Sequence, residues 1–150
     1  MVVAVGVEGL RALLGRHLGY SDWLEITQER VDRFAEATDD HQWIHVDPVR
    51  AAVGRYGRPI AHGNLVLSLT SHLLGQILDL RGFSMIVNYG GDRVRFLSPV
   101  VVGARLRAGA RIRSVDEFRG GAQLSVTIAL AIRGRAAPVC VARVILRAYL

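Results

Sequence analysis

The sequence predicts an α+β domain in which a curved antiparallel sheet wraps around one long buried helix. Two observations carry this prediction. An apolar run in the middle of the chain covers nearly the whole circumference of a helix, and a helix that is apolar all round must be buried. The second half of the chain consists of strand-like runs that alternate between apolar and polar residues. This alternation is typical of a sheet with one covered and one solvated face.

The first half predicts two helices followed by a polar loop. Three leucines within residues 10–14 indicate a short helix, and Thr27 is placed to cap a second one. The second helix has one apolar face, formed by Val31, Phe34 and Ala35. It ends near Thr38, where the stretch "TDDHQWIHVD" begins, and the following "YGRPIAHG" contains the turn residues glycine and proline.

The buried helix and the sheet follow. The segment "NLVLSLTSHLLGQILDL", residues 64–80, predicts the helix. The strand-like runs are "MIVNY", "DRVRFLSPV", "ARLRAGARIRSV", "AQLSVTIALAI" and "VCVARVILRAYL", with turn signals such as "EFRGG" and "RGRAAP" between them. In the third run Leu106, Ala108, Ala110 and Ile112 share one face, opposite Arg105, Arg107, Arg111 and Arg113.

Length and composition predict one globular domain over residues 1–150. The 150 residues are 51% hydrophobic, and they contain no repeat and no linker-like tract. The single cysteine, Cys140, excludes an internal disulfide framework and suits a reducing cytosol. No run is long and apolar enough to span a bilayer, and no basic leader is present. We therefore expect a soluble cytoplasmic protein without a membrane partner.

The loop and the turn after it resemble a known family. "FAEATDDHQWIHVDPVRAA" followed by "RPIAHGNLVLSL" is similar to the hydratase signature of the MaoC-like, (R)-specific enoyl-CoA hydratase family, and "DHQWIHVD" is most similar to its nodulation-protein-N-like members. The matching positions are Phe34, Asp40, His45, Asp47, Ala51, Pro59, Ile60, His62 and Gly63. Together with "NYGGDRVRFLSPVVVGARL", the resemblance extends from about Thr27 to Arg107.

The resemblance implies a hot dog fold, a homodimer and a hydro-lyase activity. The implied reaction is the reversible addition of water to trans-2-enoyl-CoA, which gives (R)-3-hydroxyacyl-CoA. Such a reaction needs a proton acceptor for water, a group that manages the proton at Cα and a stabiliser for the enolate oxygen. The resemblance assigns water activation to Asp40 and His45, with Asp40 as general base. It requires no metal and no organic cofactor.

Four further residues are candidates for the oxyanion and substrate-binding part of the site. The backbone N–H of Gly63 begins the buried helix, where unpaired donors and a partial positive charge favour a thioester oxygen. Ser71 is a candidate for a hydrogen bond to Asp40. Trp43 is expected to line the pocket or pack in the core, and His62 is expected to be mostly structural.

Two departures from the family pattern leave other functions open. Asp39 stands where the family usually has glycine, and aspartate is among the residues that best tolerate positive φ. Gln42 and Trp43 replace the common Asn-Pro pair. An acyl-CoA thioesterase of the same fold and a non-catalytic acyl-CoA binding or assembly protein remain alternatives. In the plainer interpretation Asp40 and Asp47 are turn formers or helix caps.

Metal and nucleic-acid sites are less favoured by the sequence. A metal site from His41, His45 and Asp47 lacks a compact helical ligand motif. The 19 basic residues are all arginine and the formal net charge is +6, so a phosphate-bearing ligand is conceivable. No aromatic residue lies within the arginine-rich run 105–113, which argues against a nucleic-acid partner. A solvated sheet face is the preferred interpretation, with binding of the coenzyme A phosphates as the alternative.

Overall fold

An antiparallel sheet wraps around the longest helix in the computed structural model, which describes residues 1–150. The helices are α1 (Gly6–Arg11), α2 (Gln28–Thr38), α3 (Trp43–Val46), α4 (Pro48–Ala52) and α5 (Gly63–Ile77). The strands are β1 (Val2–Val5), β2 (His17–Tyr20), β3 (Leu24–Glu25), β4 (Leu78–Arg81), β5 (Met85–Phe96), β6 (Arg105–Phe118), β7 (Gly121–Ile132) and β8 (Cys140–Tyr149).

The main sheet has the strand order β2-β6-β7-β8-β5, and all of its pairs are antiparallel. The short strand β3 also pairs with β6, next to β2. At the opposite edge β5 pairs only with β8. One side of this 12-residue strand therefore has backbone donors and acceptors without a partner strand.

The core lies between α5 and the inner face of the sheet. Seven residues of α5 are buried: Leu65, Val66, Leu69, Thr70, Leu73, Leu74 and Ile77. The sheet contributes alternate residues such as Leu106, Ile112, Leu124, Ile128 and Leu130, each at most 1% exposed. Burying one such side chain stabilises the fold by roughly 1.5–3 kcal/mol. The predicted α+β architecture is confirmed, and no helix is both long and apolar enough to cross a membrane.

The buried helix ends earlier than the sequence predicts. Leu78 and Leu80 continue the apolar pattern, but they belong to β4, which pairs in parallel with β1. The prediction of a helix through residue 80 was wrong at this end, and β1 was not predicted. A short apolar run fits a buried helix and a buried strand equally well, so local pattern alone does not separate the two.

The run "MIVNY" and the first five residues of "DRVRFLSPV" form one strand, β5, and not two. Gly90 and Gly91 between them suggest a turn, but the chain continues through two irregularities in the pairing with β8, at Asn88/Gly90 and at Asp92/Arg95. Bulges of this kind add a residue to one strand without ending it. The three later strands lie where the sequence predicts them.

The start of α2 lies where the sequence predicts it, whereas α1 is shorter than its leucine pattern suggests. Thr27 caps α2 as predicted, because its side-chain oxygen accepts a hydrogen bond from the Arg30 backbone N–H at 3.2 Å. The leucines of residues 10–14 are only partly helical. Leu10 lies in α1 and is buried, whereas Leu13 and Leu14 follow its end.

Candidate functional site

The polar loop begins at a left-handed residue. Asp39 is the C-cap of α2 with φ 56° and ψ 21°, so it adopts the positive φ expected of the glycine it replaces. Aspartate is one of the few residues with a side chain that visit this region readily. Thr38 supports the helix end by donating a hydrogen bond to the Phe34 carbonyl at 2.7 Å. The turn leaves Asp40 exposed in the loop that follows.

His45 is held in a defined orientation from two sides. It lies in the short helix α3 and is only 6% exposed. Its Nδ1–H donates to the Ile60 carbonyl at 2.7 Å, and its own carbonyl accepts a hydrogen bond from Gln28 Nε2 at 2.8 Å. Because a carbonyl oxygen can only accept, the proton of a neutral His45 lies on Nδ1, and Nε2 carries the lone pair.

His62 completes a cluster with these two residues. Its ring stacks on that of His45, with centroids 3.8 Å apart and planes 24° apart. Its Nε2–H donates to the Asp40 carbonyl oxygen at 3.0 Å. One carboxylate or imidazole atom from each of Asp40, His45 and His62 lies within 4.8 Å of the others. The structure therefore brings together the two candidate catalytic residues with a third, which the sequence suggested to be mostly structural.

Burial lowers the pKa of His45. Desolvation is the largest cause, and it outweighs the hydrogen bond to the Ile60 carbonyl, which acts in the opposite direction. The neighbouring His62 lowers this pKa further, whereas the carboxylate of Asp40 raises it. The net effect keeps the imidazole neutral to lower pH, so that its Nε2 remains a proton acceptor.

This shift predicts a pH dependence of stability. His45 has a lower pKa in the folded state than its ordinary value of about 6.5, so the unfolded state binds the proton more readily. Its contribution to the free energy of unfolding is present above about pH 6.5 and is lost as the pH falls through the folded-state pKa. Urea titrations from pH 7.5 to 5 are expected to show that the free energy of unfolding falls more steeply for wild type than for His45→Gln. An equal slope for both would contradict this assignment.

Gly63 lies at the first position of α5, beside the edge of the sheet. The preceding His62 makes no side-chain cap, so the N–H groups of the first turn have no side-chain acceptor from that residue. A Cβ on Gly63 would lie 3.1 Å from the Phe96 ring of β5. A side chain at this position would therefore crowd that ring, and glycine avoids the contact.

Ser71 and Trp43 lie in two other places. Ser71 is exposed on α5 and lines a cavity of about 640 Å³ beside the C-terminal half of that helix, and it makes no hydrogen bond to Asp40. The Trp43 ring packs under the Arg50 guanidinium, 4.4 Å from the ring centroid, and against Gly54. It borders a smaller hollow of about 120 Å³, which Asp40, His45 and Gly63 do not line.

The other polar residues of the loop have structural contacts. Asp47 caps α4 by accepting a hydrogen bond from the Arg50 backbone N–H at 2.9 Å, as the plainer interpretation of this residue expected. His41 is exposed and lies 3.7 Å from the Glu36 carboxylate. Neither residue belongs to the cluster of Asp40, His45 and His62.

The cluster has the ligand types of a metal site but not the geometry that a metal prefers. His45 Nδ1 and His62 Nε2 are bonded to carbonyl oxygens, so the free nitrogens are His45 Nε2 and His62 Nδ1. Their lone pairs lie in two stacked, nearly parallel ring planes and do not converge on one point. A tetrahedral zinc ion at about 2.0–2.1 Å from both nitrogens requires such convergence. The two nitrogens are therefore suited to accept separate hydrogen bonds and not to bind one metal ion together.

The outer face of the sheet is basic, and it is also more aromatic than the sequence suggests. Arg107 is half-buried between two rings, 4.3 Å from the Tyr20 centroid and 4.5 Å from that of Trp23. No aromatic residue lies within residues 105–113, as noted, but β2 and the residues after it supply them across the strand pairing. These rings already stack with a guanidinium, which is a stabilising cation–π contact.

Sequence spacing could reveal Asp40 and His45, but not the arrangement of His62. The two segments in contact are "DDHQWIHVD" and "RPIAHG", which are separated by ten residues without a periodic signal. The contact depends on hydrogen bonds between the two segments, from the Ile60 backbone N–H to the Ile44 carbonyl at 3.0 Å and from the His45 ring to the Ile60 carbonyl at 2.7 Å. These bonds are tertiary, so no local pattern predicts them.

Comparisons with known proteins agree with this fold. The model of the MaoC like domain matches residues 10–131. The chain is 46% identical over 142 residues to 3-hydroxyacyl-thioester dehydratase Z of Mycobacterium tuberculosis H37Rv, covering 94% of both chains. It is 47% identical over 116 residues to nodulation protein N of Rhizobium leguminosarum bv. viciae, covering 76% of this chain and 71% of that one.

A solved relative has the same fold. The (R)-specific enoyl-CoA hydratase of Aeromonas caviae is 34% identical over 133 residues, covering 85% of this chain and 90% of its own. The crystal structure of an (R)-hydratase from A. caviae aligns with a TM-score of 0.72, at 26% identity, over 89% of this chain and 94% of that chain. The sheet wrapped around α5 is thus the hot dog fold.

Proposed function

Because this chain belongs to the MaoC-like domain family, we propose that it catalyses the reversible hydration of a trans-2-enoyl-CoA to the (R)-3-hydroxyacyl-CoA. The family includes dehydratases and hydratases, so the class of reaction is that of a hydro-lyase. The observation that carries the finer proposal is the convergence of an exposed carboxylate and a neutral, buried imidazole within 4.8 Å. A water molecule between them has a proton acceptor on each side.

Asp40 and His45 have different roles in the proton transfer. The water oxygen forms a bond to Cβ of the enoyl group, and the Cα–Cβ π electrons move toward the thioester. Asp40 accepts the proton that leaves the water and passes it to Nε2 of His45, which orients the water and then delivers the proton to Cα. One water is consumed and no other reactant is needed. General acid–base catalysis of this kind contributes about 10²–10⁴-fold to a rate.

Gly63 is the proposed donor to the thioester oxygen. As negative charge develops on that oxygen, the backbone N–H at the start of a 15-residue helix stabilises it by hydrogen bonding and through the helix dipole. The apolar ring of Phe96, which is half exposed, lies beside Gly63.

The test is the absorbance of the enoyl-thioester band of crotonyl-CoA, followed together with a free-thiol assay. Hydration removes the band without releasing thiol, which is the expected result. Release of thiol would indicate the alternative, a thioesterase in which Asp40 activates water toward the carbonyl carbon. Failure of both assays with crotonyl-CoA and with longer enoyl chains would indicate a binding or assembly protein.

Gly63→Ala is expected to lower the rate of hydration by about 10²-fold, because its methyl group crowds the Phe96 ring and shifts the backbone N–H that faces the thioester. Phe96 is half exposed and its ring can yield, so the free energy of unfolding should change by less than about 1 kcal/mol. Gly75→Ala is the matched control, since nothing lies within 4 Å of its Cβ. Gly75 lies about 18 Å further along the helix, beyond the reach of a crotonyl group. Equal activity of the two variants would contradict the role of Gly63.

The cavity beside α5 supports an acyl substrate. Eight of its 13 lining residues are hydrophobic, among them Leu74, Ile86 and Leu146. Its nearest lining residue on α5, Thr70, is seven positions after Gly63, about 10 Å along the helix. We therefore place the distal part of a longer acyl chain in this cavity. The crotonyl group is too short to enter it.

We also propose that the chain forms a homodimer in which β5 pairs with β5 of a second copy. The free edge of this strand is long, and Met85, Ile86, Tyr89 and Phe96 are large exposed hydrophobic residues along it. Long exposed edges of this kind favour pairing with another strand. Sedimentation analysis is expected to give about twice the chain mass of 16.4 kDa. A species of 16.4 kDa at micromolar concentration would contradict the dimer.

A further inference from the structure

A strip of exposed side chains leads away from Gly63, first apolar and then basic. The Phe96 ring lies 3.1 Å from the position of a Cβ on Gly63. Phe96 is the last residue of β5 and is 50% exposed, and the next residue, Leu97, is 57% exposed. Ser98 follows, and its Oγ accepts a hydrogen bond from an Nη1–H of Arg135. The strip of these four residues therefore connects the start of α5 with a guanidinium group.

Backbone contacts fix the strip beside the start of α5. The Ala61 N–H donates to the Val100 carbonyl at 2.8 Å, and the adjacent residues Ile60 and Val101 form an antiparallel bridge. Because the two segments are antiparallel, the chain that precedes Val100 runs along the chain that follows Ala61. Ser98 is two residues from Val100, so at most about 7 Å of chain separates it from this hydrogen bond. The Arg135 guanidinium is therefore held on the side of the molecule where α5 begins.

Arg135 is exposed and has no acidic partner. It lies in the turn between β7 and β8, and no carboxylate forms an ion pair with it. The sequence has no acidic residue between Asp92 and Asp116 and none after Glu117, so both segments that form the strip lack negative charge. The hydrogen bond to Ser98 uses Nη1, which leaves Nη2 and Nε as donors for another acceptor. Such a fork matches the oxygens of a phosphate group.

The arginines on the outer face of the sheet lie on the wrong side for a substrate at Gly63. Arg107 and Arg111 alternate along β6 with Ala108 and Ala110, which are buried in the core shared with α5. The sheet therefore separates these two guanidinium groups from the helix that begins at Gly63. This placement disfavours the alternative in which the outer face binds the phosphates of coenzyme A.

We propose that Arg135 binds the phosphate at the end of the pantetheine arm of coenzyme A, and that Phe96 and Leu97 contact the apolar part of this arm. The inference rests on the proposed function and names the residue that recognises the carrier of the acyl group. The extended arm spans roughly 15 Å, about the length of four extended residues. The Arg135 guanidinium lies within about 12 Å of the Phe96 backbone, since two residues and one hydrogen bond separate them. A thioester held at Gly63 therefore has its phosphate within reach of Arg135.

The proposed pairing of β5 with a second copy does not use this part of the chain. The strand ends at Phe96, before Leu97 and Ser98. The N–H groups of Leu97 and Ser98 donate to the Val139 carbonyl of their own chain at 2.8 and 3.3 Å. The contact between Ser98 and Arg135 is thus independent of the dimer.

Steady-state kinetics with three crotonyl thioesters test the role of Arg135. Crotonyl-CoA and crotonyl-phosphopantetheine have the phosphate at the end of the arm, whereas crotonyl-pantetheine lacks it. Arg135→Gln is expected to raise KM about tenfold for the first two, the effect of one charged hydrogen bond, and to leave kcat unchanged. KM for crotonyl-pantetheine should equal that of wild type. Arg113→Gln removes the same charge from an exposed position on β6, and as the matched control it should leave all three KM values unchanged.

Three kinetic outcomes would overturn the inference. The first is an unchanged KM for crotonyl-CoA in a folded Arg135→Gln. The second is an equal rise in Arg113→Gln or with crotonyl-pantetheine, which would indicate a general effect and not recognition of the phosphate. The third is a rise confined to crotonyl-CoA, which would place Arg135 at the nucleotide phosphates.

Calorimetric titration with coenzyme A itself requires no turnover and separates this inference from the proposed reaction. Its Kd is expected to be about tenfold higher for Arg135→Gln than for wild type and unchanged for Arg113→Gln. If this difference in Kd is observed without hydration of any enoyl thioester, the proposed function alone is wrong. If hydration is observed without the difference in Kd, the inference about Arg135 alone is wrong.

Discussion

Asp40→Asn is expected to lower the rate of crotonyl-CoA hydration by about 10²–10⁴-fold. Asparagine has nearly the same shape as aspartate and preserves the backbone carbonyl that His62 binds, so the loop should keep its conformation. The amide cannot accept the proton of water as a carboxylate does. The loss should therefore appear in kcat, with little change in KM. The measurement is the decay of the enoyl-thioester band with wild type and variant at equal concentration.

Asp47→Asn is the matched control for this experiment. Asp47 lies seven residues further along the same segment and caps α4 through a backbone N–H. Asparagine is as good a cap as aspartate, so the variant should keep its stability and its activity. If Asp40→Asn and Asp47→Asn have the same rate as wild type, Asp40 is not the base. If both lose activity equally, the loss reflects the loop rather than the carboxylate.

Leu73→Ala is expected to lower the free energy of unfolding by about 2–5 kcal/mol. Leu73 is fully buried in the middle of α5, where it contacts the inner face of the sheet. Its truncation removes apolar contacts and leaves a cavity that the rigid sheet cannot fill. Urea unfolding followed by far-UV circular dichroism measures this change.

His72→Ala is the control for the core, because His72 is the exposed neighbour on the same helix. Alanine is the best helix former, so this variant should change the stability by less than about 0.5 kcal/mol. A loss below 1 kcal/mol for Leu73→Ala would show that α5 is not held by the sheet. The position of Gly63 at the start of the helix would then lack its structural support.

The architecture was predictable because the patterns of β6, β7 and β8 are long. Apolar residues recur at every second position from Leu106 to Ile112 and from Leu124 to Leu130, and this alternation fixes which face of each strand packs in the core. Leu78 and Leu80 belong to a run that is too short for its pattern to distinguish a strand from a helix. Their place in β4 depends on pairing with β1, which lies more than 70 residues earlier in the chain.

The candidate site was predictable where its residues lie close in the chain. Asp40 and His45 are five residues apart, and the spacing within the family signature singles them out. The structure has no hydrogen bond between Ser71 and Asp40, and Ser71 lies beside the cavity. The contact between these two residues therefore stays a prediction. The hydrogen bond between the His45 ring and Ile60 spans 15 residues and depends on the folded turn. Only the structure assigns the tautomer that follows from it.

The position of Trp43 gives the short helix that carries His45 an intrinsic optical reporter. The chain has two tryptophans, and Trp43 lies in the same four-residue helix as His45. The other, Trp23, stacks with Arg107 outside the cluster of Asp40, His45 and His62. In a Trp23→Phe background the emission comes from Trp43 alone. Fluorescence titration can then follow any movement of this helix when a ligand that undergoes no reaction binds, so that binding is measured separately from catalysis.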